Sequence, residues 1–267
     1  MIISTRDLVH FIARPRLKAP NMLAAWPGIS NVAMIVASYL ARKLDIKPLA
    51  EMDAPYFFDP IGVLAKNNVI EEPQFPQSRF YYWKNRAGSS DLILFIGDAQ
   101  PSTKEYEMAN CVLDTCQRFK VKRLYTCAAA LTRIHHTEQP RVWGVGTTPE
   151  VAKELEEQGL VRGGNLQISG LNGLLLGVAK KREIKGVCLL GEVPTYATRM
   201  QNPISALAIL NKLTAMLGIE VNTDELAQLA SETRETMKLA AAEAMEEYID
   251  YFTEPVWERG EDEYEDD

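Results

Sequence analysis

Two stretches of this chain, DLILFIG (Asp91 to Gly97) and KGVCLLGE (Lys185 to Glu192), are apolar almost from end to end. A strand that alternates apolar and polar residues can leave one face in water, whereas one that is apolar at nearly every position has to be covered on both. That requirement restricts the chain to folds in which a sheet is sandwiched between layers of other structure.

The covering layers can be read from the segments between the strands. NMLAAWPG (Asn21 to Gly28), VKRLYTCAAA (Val121 to Ala130) and RVWGVG (Arg141 to Gly146) add three further strands. After Gly28, Ser30 is placed to cap a helix running to about Leu44, with Val32, Ile35, Val36, Tyr39 and Leu40 on one side. Ser102 and Glu105 have capping-box spacing before a helix whose apolar face is Tyr106, Ala109, Leu113 and Cys116. Thr148 and Pro149 open another helix and Gly159 follows its end. A turn near Ser169 leads into a helix burying Leu171, Leu174, Leu175 and Val178, and Asn202-Pro203 begins one that stops at Gly218. Strands this apolar, alternating with helices, predict an α/β fold of three layers, α/β/α, around a mostly parallel sheet.

Two stretches depart from the alternation. RFYYWKNR (Arg79 to Arg86) puts Phe80 and Tyr82 on one face and Tyr81 and Trp83 on the other, which reads as a two-sided strand at a sheet edge. Aromatics between basic residues can also stack on bases, but the acidic chain argues against it. From Thr223 to about Phe252, Leu226, Ala230, Thr233, Met237, Ala241, Ala244, Tyr248 and Phe252 recur every three or four residues. One long C-terminal helix of roughly 40 Å follows, at 1.5 Å per residue. It either packs along its own domain or serves as an arm for a neighbouring subunit, its run of alanines allowing close approach.

A hydrophobic content of 46% supports a substantial core, and residues 1–254 are expected to form a single domain. The formal charge of −7 is concentrated at the end: Glu258 to Asp267 hold seven acids and one Arg, and the rest is nearly neutral. Residues 255–267 are expected to form a disordered acidic tail. A nearly neutral body gives no footprint for nucleic acid. Cys111, Cys116, Cys127 and Cys188 lie in or beside predicted elements, as small buried hydrophobes do in a reducing compartment. No segment reaches the roughly 18 apolar residues of a membrane span. These features predict a cytoplasmic protein with no membrane partner.

In open parallel sheets the ligand crevice lies at the carboxyl ends of the strands, where Gly28, Asp98 and Glu192 are expected. The connection from Val193 to Gln201 is long for its type. A single carboxylate is only half of an acid-base pair, and His10, His135 and His136 stand at no recognisable offset from it, so a cap or an interface acceptor is the plainer role for Glu192. His135 and His136 point to opposite sides of an extended segment, and Cys111 and Cys116 lack C-x-x-C spacing, which argues against zinc. Gly163, Gly164, Gly170 and Gly173 could present backbone N–H groups to an anion, or serve tight turns and close packing. Neither a phosphate-binding loop nor a G-x-S-x-G elbow is present, and no cofactor is expected.

The region from Ile168 to Ala227 resembles the hallmark of the proteasome assembly chaperone family, the group built around the second eukaryotic chaperone subunit and its bacterial and archaeal relatives. The resemblance rests on Gly170, Leu171 and Gly173 at a helix entry, Leu189-Leu190-Gly191-Glu192 in a strand, and Pro194 and Tyr196 in the loop. Pro203 and Ala206 in the next helix, and Gly218-Ile219 before an acidic helix start, complete it. It implies a phosphorylase/hydrolase-like fold, self-assembly into small oligomers or rings (a trimer or larger), and protein clients. It also makes Asn172, within the glycine-flanked helix entry, a candidate contact residue. Thr195 stands where the family often has Gly. Archaeal members that dock by their tails end in a hydrophobic residue, Tyr and one last residue, whereas Tyr264 here follows Glu263 and precedes three acids. Some relatives carry an ATP-grasp ligase label, but the glycine loop and Lys/Glu set which that label requires are missing. Two functions therefore remain open: a non-catalytic oligomeric scaffold or assembly chaperone, and a small-molecule binder or enzyme using the strand-end crevice.

Overall fold

The structure, a computed structural model, describes residues 8–88, 90–162 and 166–253. The acidic tail and the pair Gly163-Gly164 lie outside the described residues.

The chain opens with β1 (Val9–Phe11), β2 (Asn21–Ala25), α1 (Val32–Lys43), β3 (Lys47–Met52) and the short α2 (Ala54–Phe57). A small hairpin of β4 (Ala65–Lys66) and β5 (Val69–Ile70) precedes β6 (Ser78–Trp83), β7 (Leu92–Gly97), α3 (Glu105–Arg118) and β8 (Leu124–Thr132). Next come β9 (Val142–Gly146), α4 (Pro149–Glu157), β10 (Val161–Arg162) and α5 (Gly170–Lys181). The chain continues through β11 (Gly186–Pro194), α6 (Pro203–Leu217) and α7 (Asp224–Thr253).

Among the described residues, nine strands form one sheet in the order β1-β3-β6-β7-β2-β8-β11-β9-β10. Its centre, β7-β2-β8-β11, is parallel as expected, while β1, β3 and β6 on one flank and β9 on the other run antiparallel to their inner neighbours. Alternate residues of the central strands face opposite layers. Leu23, Leu94, Cys127 and Leu189 pack with α1, α4, α6 and the start of α7. Met22, Phe95, Cys188 and Leu190 pack with α3 and α5. Every residue of β11 is buried, as its composition demanded.

Several helix ends follow the sequence signals. The Thr148 hydroxyl accepts from the Val151 N–H at 3.3 Å, and Asn202 Oδ1 accepts from the Ser205 N–H at 2.9 Å. Gly159 and Gly218 take the left-handed φ values of +71° and +62° that end α4 and α6.

Other expectations need correction. Ser30 does not cap α1: it sits at φ +50° in a short 3₁₀ turn, and its hydroxyl donates to the carbonyls of Ala197 and Thr198 at 3.1 and 3.3 Å. A tertiary partner has taken the group that local capping would have used. Ser102 and Glu105 form no capping box, because α3 begins only at Glu105. Tyr106, placed on the buried face by spacing, is exposed. β6 is not an edge strand; β1 and β3, too short and mixed in pattern to be read from sequence, pair outside it. Its two-faced reading does hold, with Phe80 and Tyr82 on one core and Tyr81 and Trp83 on the other. β11 continues beyond Glu192 to Pro194, because β8 pairs with it along its whole length, from Gly186 opposite Leu124 to Pro194 opposite Thr132.

Candidate functional site

The sequence-predicted site residues separate into two groups. The first surrounds Glu192, which β11 carries into the interior at 2% exposure. Its carboxylate accepts from the Arg141 backbone N–H at 2.9 Å, Arg141 Nη2 at 2.8 Å, Arg141 Nε at 3.2 Å and Trp143 Nε1 at 3.3 Å. Burial pushes the carboxyl up. The bonds from the Arg141 side chain, the Arg141 backbone and Trp143 outweigh it, so the net displacement is downward and Glu192 is ionised. The guanidinium itself is at the surface, its side chain 64% exposed. These donors belong to the adjacent strand β9 and the residue before it, not to the loop after Glu192. Local sequence could not show this, since the two segments lie about fifty residues apart and only sheet pairing joins them.

Pro194 closes β11, and the 3₁₀ turn Thr195–Ala197 then presents Tyr196 to the segment after β8. The Tyr196 hydroxyl accepts from the His136 backbone N–H at 3.0 Å and lies 3.1 Å from His136 Nδ1. Burial, His135 and Lys238 hold the His136 imidazole below its usual range, with Glu235 opposing them. α7 covers this corner: Ala230 and Met237 pack with Ala197 and Ile204, and Arg234 donates to Gln139 Oε1 at 2.9 Å. Beside it, a groove of about 730 Å³ runs between α6, α7 and residues 139–142.

The second group forms the expected crevice at the carboxyl ends of β2 and β8. Gly28, Gly170 and Asn172 line a cavity of about 620 Å³ together with Trp26, Gln100 and Trp143. Gln100 fixes its geometry, donating from Nε2 to the Pro27 carbonyl at 2.9 Å and accepting from the Leu171 N–H at 3.0 Å. Gly170 sits at φ +66° against that amide, and a side chain on Gly173 would strike the Ile168 carbonyl. Gly173 therefore serves close packing at the helix entry. Asp98 does not reach the crevice. It is exposed and accepts from the Gln77 N–H at 3.0 Å, tying the end of β7 to β6.

Trp143 links the two groups, lining the crevice while its indole N–H bonds Glu192. Sequence reasoning passed over Trp143, Arg141, Trp26 and Gln100. The one signal available was a large aromatic between small residues in VWGVG, which marks a side chain given space. Among the described residues, no three His, Cys, Asp or Glu side chains are grouped so that they could hold a metal ion. No helix among them is long and apolar enough to cross a membrane.

The chain is 26% identical over 213 residues, 78% of each chain, to an uncharacterized protein of Methanocaldococcus jannaschii. Its fold is similar to that of PbaB from Pyrococcus furiosus, described as an archaeal proteasome activator. The TM-score is 0.73 at 28% identity, covering 87% of this chain and 98% of that one. It is also similar to PbaA from the same organism, described as an archaeal homolog of proteasome-assembly chaperone. Here the TM-score is 0.67 at 26% identity, over 90% and 99% of the two chains. The PAC2 family model matches residues 22–241, which run from the second residue of β2 through β11 and into α7, and the chain therefore belongs to the PAC2 family.

Proposed function

We propose that this protein is a non-catalytic, self-associating factor that binds proteasome subunits. The observation that carries the reading is its likeness, over nearly the whole chain, to the archaeal proteasome activator and the proteasome-assembly chaperone homolog. The chemistry of the side chains is consistent with a binding role. Glu192 is held by donors rather than by a base, and burial pushes the Cys188 thiol up to about 11 and that of Cys111 up to about 12, away from thiolate.

Self-association is supported by apolar surface. The β4–β5 hairpin and its approach expose Ile61 and Ile70 at 72% each, along with Val63, Leu64 and Val69. A two-stranded hairpin is marginally stable alone, and an apolar patch of this kind marks an interaction surface. A second copy of the chain, in a trimer or larger ring, is the occupant proposed for it, with Leu239 and Met245 of α7 as further apolar contacts.

Light scattering behind a sizing column should give a multiple of 29.9 kDa. The double substitution Ile61→Ser, Ile70→Ser should lower that mass without lowering the melting temperature. Capture of proteasome core subunits from the host's own extract by the tagged protein tests the partner. A monomer near 30 kDa that captures no proteasome subunit would sink the proposal.

A further inference from the structure

The body of the chain is nearly neutral, but the fold does not spread its charges evenly. Three connections meet at the amino ends of the parallel strands: the entry to β2, the turn from β6 into β7 and the entry to β8. Backbone hydrogen bonds tie them together. The Asp91 N–H donates to the Lys18 carbonyl at 3.0 Å, the Lys122 N–H to the Pro20 carbonyl at 2.8 Å and the Met22 N–H to the Arg123 carbonyl at 3.0 Å. Lys18, Lys84, Arg86, Lys120 and Lys122, which form no run in the sequence, are thereby carried on one basic ridge. All five are exposed, and among the described residues none has an ion-pair partner.

The acid at the centre of these connections does not neutralise them. Asp91 is 6% exposed, and its two carboxylate oxygens accept from the backbone N–H groups of Lys18 and Asn85 at 2.6 and 2.9 Å. Asp45 shares a cleft of about 550 Å³ with Lys47, Lys84 and Arg86, which leaves that cleft net positive. Arg123 is paired with Glu154, and Lys185, on the connection into β11, acts on Glu150, so the ridge ends there. Like charges gathered in this way repel one another, and a flexible anion of many charges relieves the repulsion.

The chain itself supplies such an anion, since Glu258 to Asp267 carry seven acids and one Arg. Within one copy, however, ridge and tail belong to opposite ends. α7 starts at the amino ends of the strands, where Glu225 pairs with Arg42 and Lys43 on the last turn of α1. By Arg234 it has reached Thr137 and Gln139, beyond the carboxyl end of β8. Its 30 residues rise about 45 Å, and residues 254–267 span at most about 50 Å when fully extended. To touch its own ridge the tail would have to run straight back along the acidic stretch of Glu243, Glu246, Glu247 and Asp250. A second copy is under no such constraint. A chain of net charge −7 that carries its own acidic segment gives nucleic acid the weaker claim.

We propose that the basic ridge of one copy receives the acidic C-terminal tail of another. The two surfaces differ, so the contact is heterologous and links copies end to end. Pairs between exposed charges are weak singly and screened by salt. The association therefore depends on concentration and ionic strength and adds nothing to the stability of the fold within one copy.

The test is fluorescence anisotropy of a labelled synthetic peptide, residues 254–267, titrated with the full chain. In about 50 mM salt it should bind with a Kd of about 100 μM or tighter, and in about 500 mM salt about tenfold more weakly or worse. The same peptide with its acids replaced by Gln and Asn should not bind. Lys120→Gln with Lys122→Gln, and Lys84→Gln with Arg86→Gln, should each weaken binding about threefold or more. Arg133→Glu, an equal change of charge at an exposed position beyond the other end of β8, should leave it unchanged. Melting curves establish folding, and should one pair fail to fold the other decides. Light scattering of the full chain in low salt should show a mass that rises with concentration, a rise that high salt and either ridge pair abolish. A peptide that does not bind, binding that survives the folded ridge pairs, or a mass that shows no salt-sensitive rise would each overturn the proposal. So would oligouridine binding to the ridge more tightly than the peptide. The Ile61→Ser, Ile70→Ser chain should bind the peptide like wild type, so this proposal and the preceding one fail separately.

Discussion

At the scale of single residues, Glu192 shows how a buried charge is made tolerable. Removing a carboxylate from water is costly, and its four donors offset that cost by sharing the charge between both oxygens. Glu192→Gln keeps the shape but replaces one acceptor oxygen with an NH₂ that faces donors. It should cost about 1–3 kcal/mol, the scale of losing charge-assisted bonds, and thermal melting at neutral pH checks it. The pH dependence has a definite sign. Because the folded-state carboxyl lies below its unfolded value, the stabilisation is fully present above the unfolded pKa and is lost as pH falls through the folded one. Urea melts of wild type and Glu192→Gln should therefore converge below the ordinary carboxylate range. A gap that persists there would show that packing, not ionisation, carries the effect.

At the scale of elements, α7 is the feature that periodicity described best and explained least. The spacing of Leu226, Ala230, Thr233, Met237, Ala241, Ala244, Tyr248 and Phe252 predicted a buried stripe; Leu226, Ala230 and Met237 are buried and Thr233 and Ala241 half-buried, while the side chains of Ala244, Tyr248 and Phe252 lie outside the described residues. The same spacing could not say what covers them. The structure places the first part of the helix on α6 and the Tyr196 turn, while Leu239 and Met245 further along are exposed. The first part of α7 thus follows the reading of a helix packed along its own domain, and the arm for a neighbouring subunit is the use proposed for the exposed part. Met237→Ala should leave a cavity at the last buried contact among the described residues and cost about 2–4 kcal/mol. Hydrogen exchange should then quicken at residues 230–242 and in the Tyr196 turn while the central strands stay protected. Uniform acceleration across the sheet would show that α7 is integral to the global fold.

At the scale of the whole molecule, we propose that residues 1–254 fold as one domain and that the acidic tail contributes nothing to its stability. Deleting Glu258 to Asp267 should leave the melting temperature unchanged, since seven acids and one Arg cannot be buried without large cost; a marked drop would overturn this. The layered α/β fold was legible because it follows from local rules. Strands apolar at every position need two covers, and Thr148-Pro149, Asn202-Pro203, Gly159 and Gly218 mark helix ends by side-chain and backbone preferences that act within a few residues. The family motif was legible for the same reason, as a run of residues contiguous in the chain. The antiparallel flanks were not, because β3 pairs with β6 and β1 with β3 across stretches distant in sequence, and a short mixed stretch has no pattern of its own. Ser30 was misread because a carbonyl 167 residues away offers its hydroxyl a better use than the cap. The sites divide along the same line. The sequence singled out Gly28, Gly170, Asn172 and Glu192 as candidates, but the groups that surround them, Arg141 and Trp143 at the carboxylate and Trp26 and Gln100 at the crevice, meet them only across paired strands and facing loops. Hydrogen bonding and burial are properties of three-dimensional neighbourhoods, and only the tertiary structure decides them.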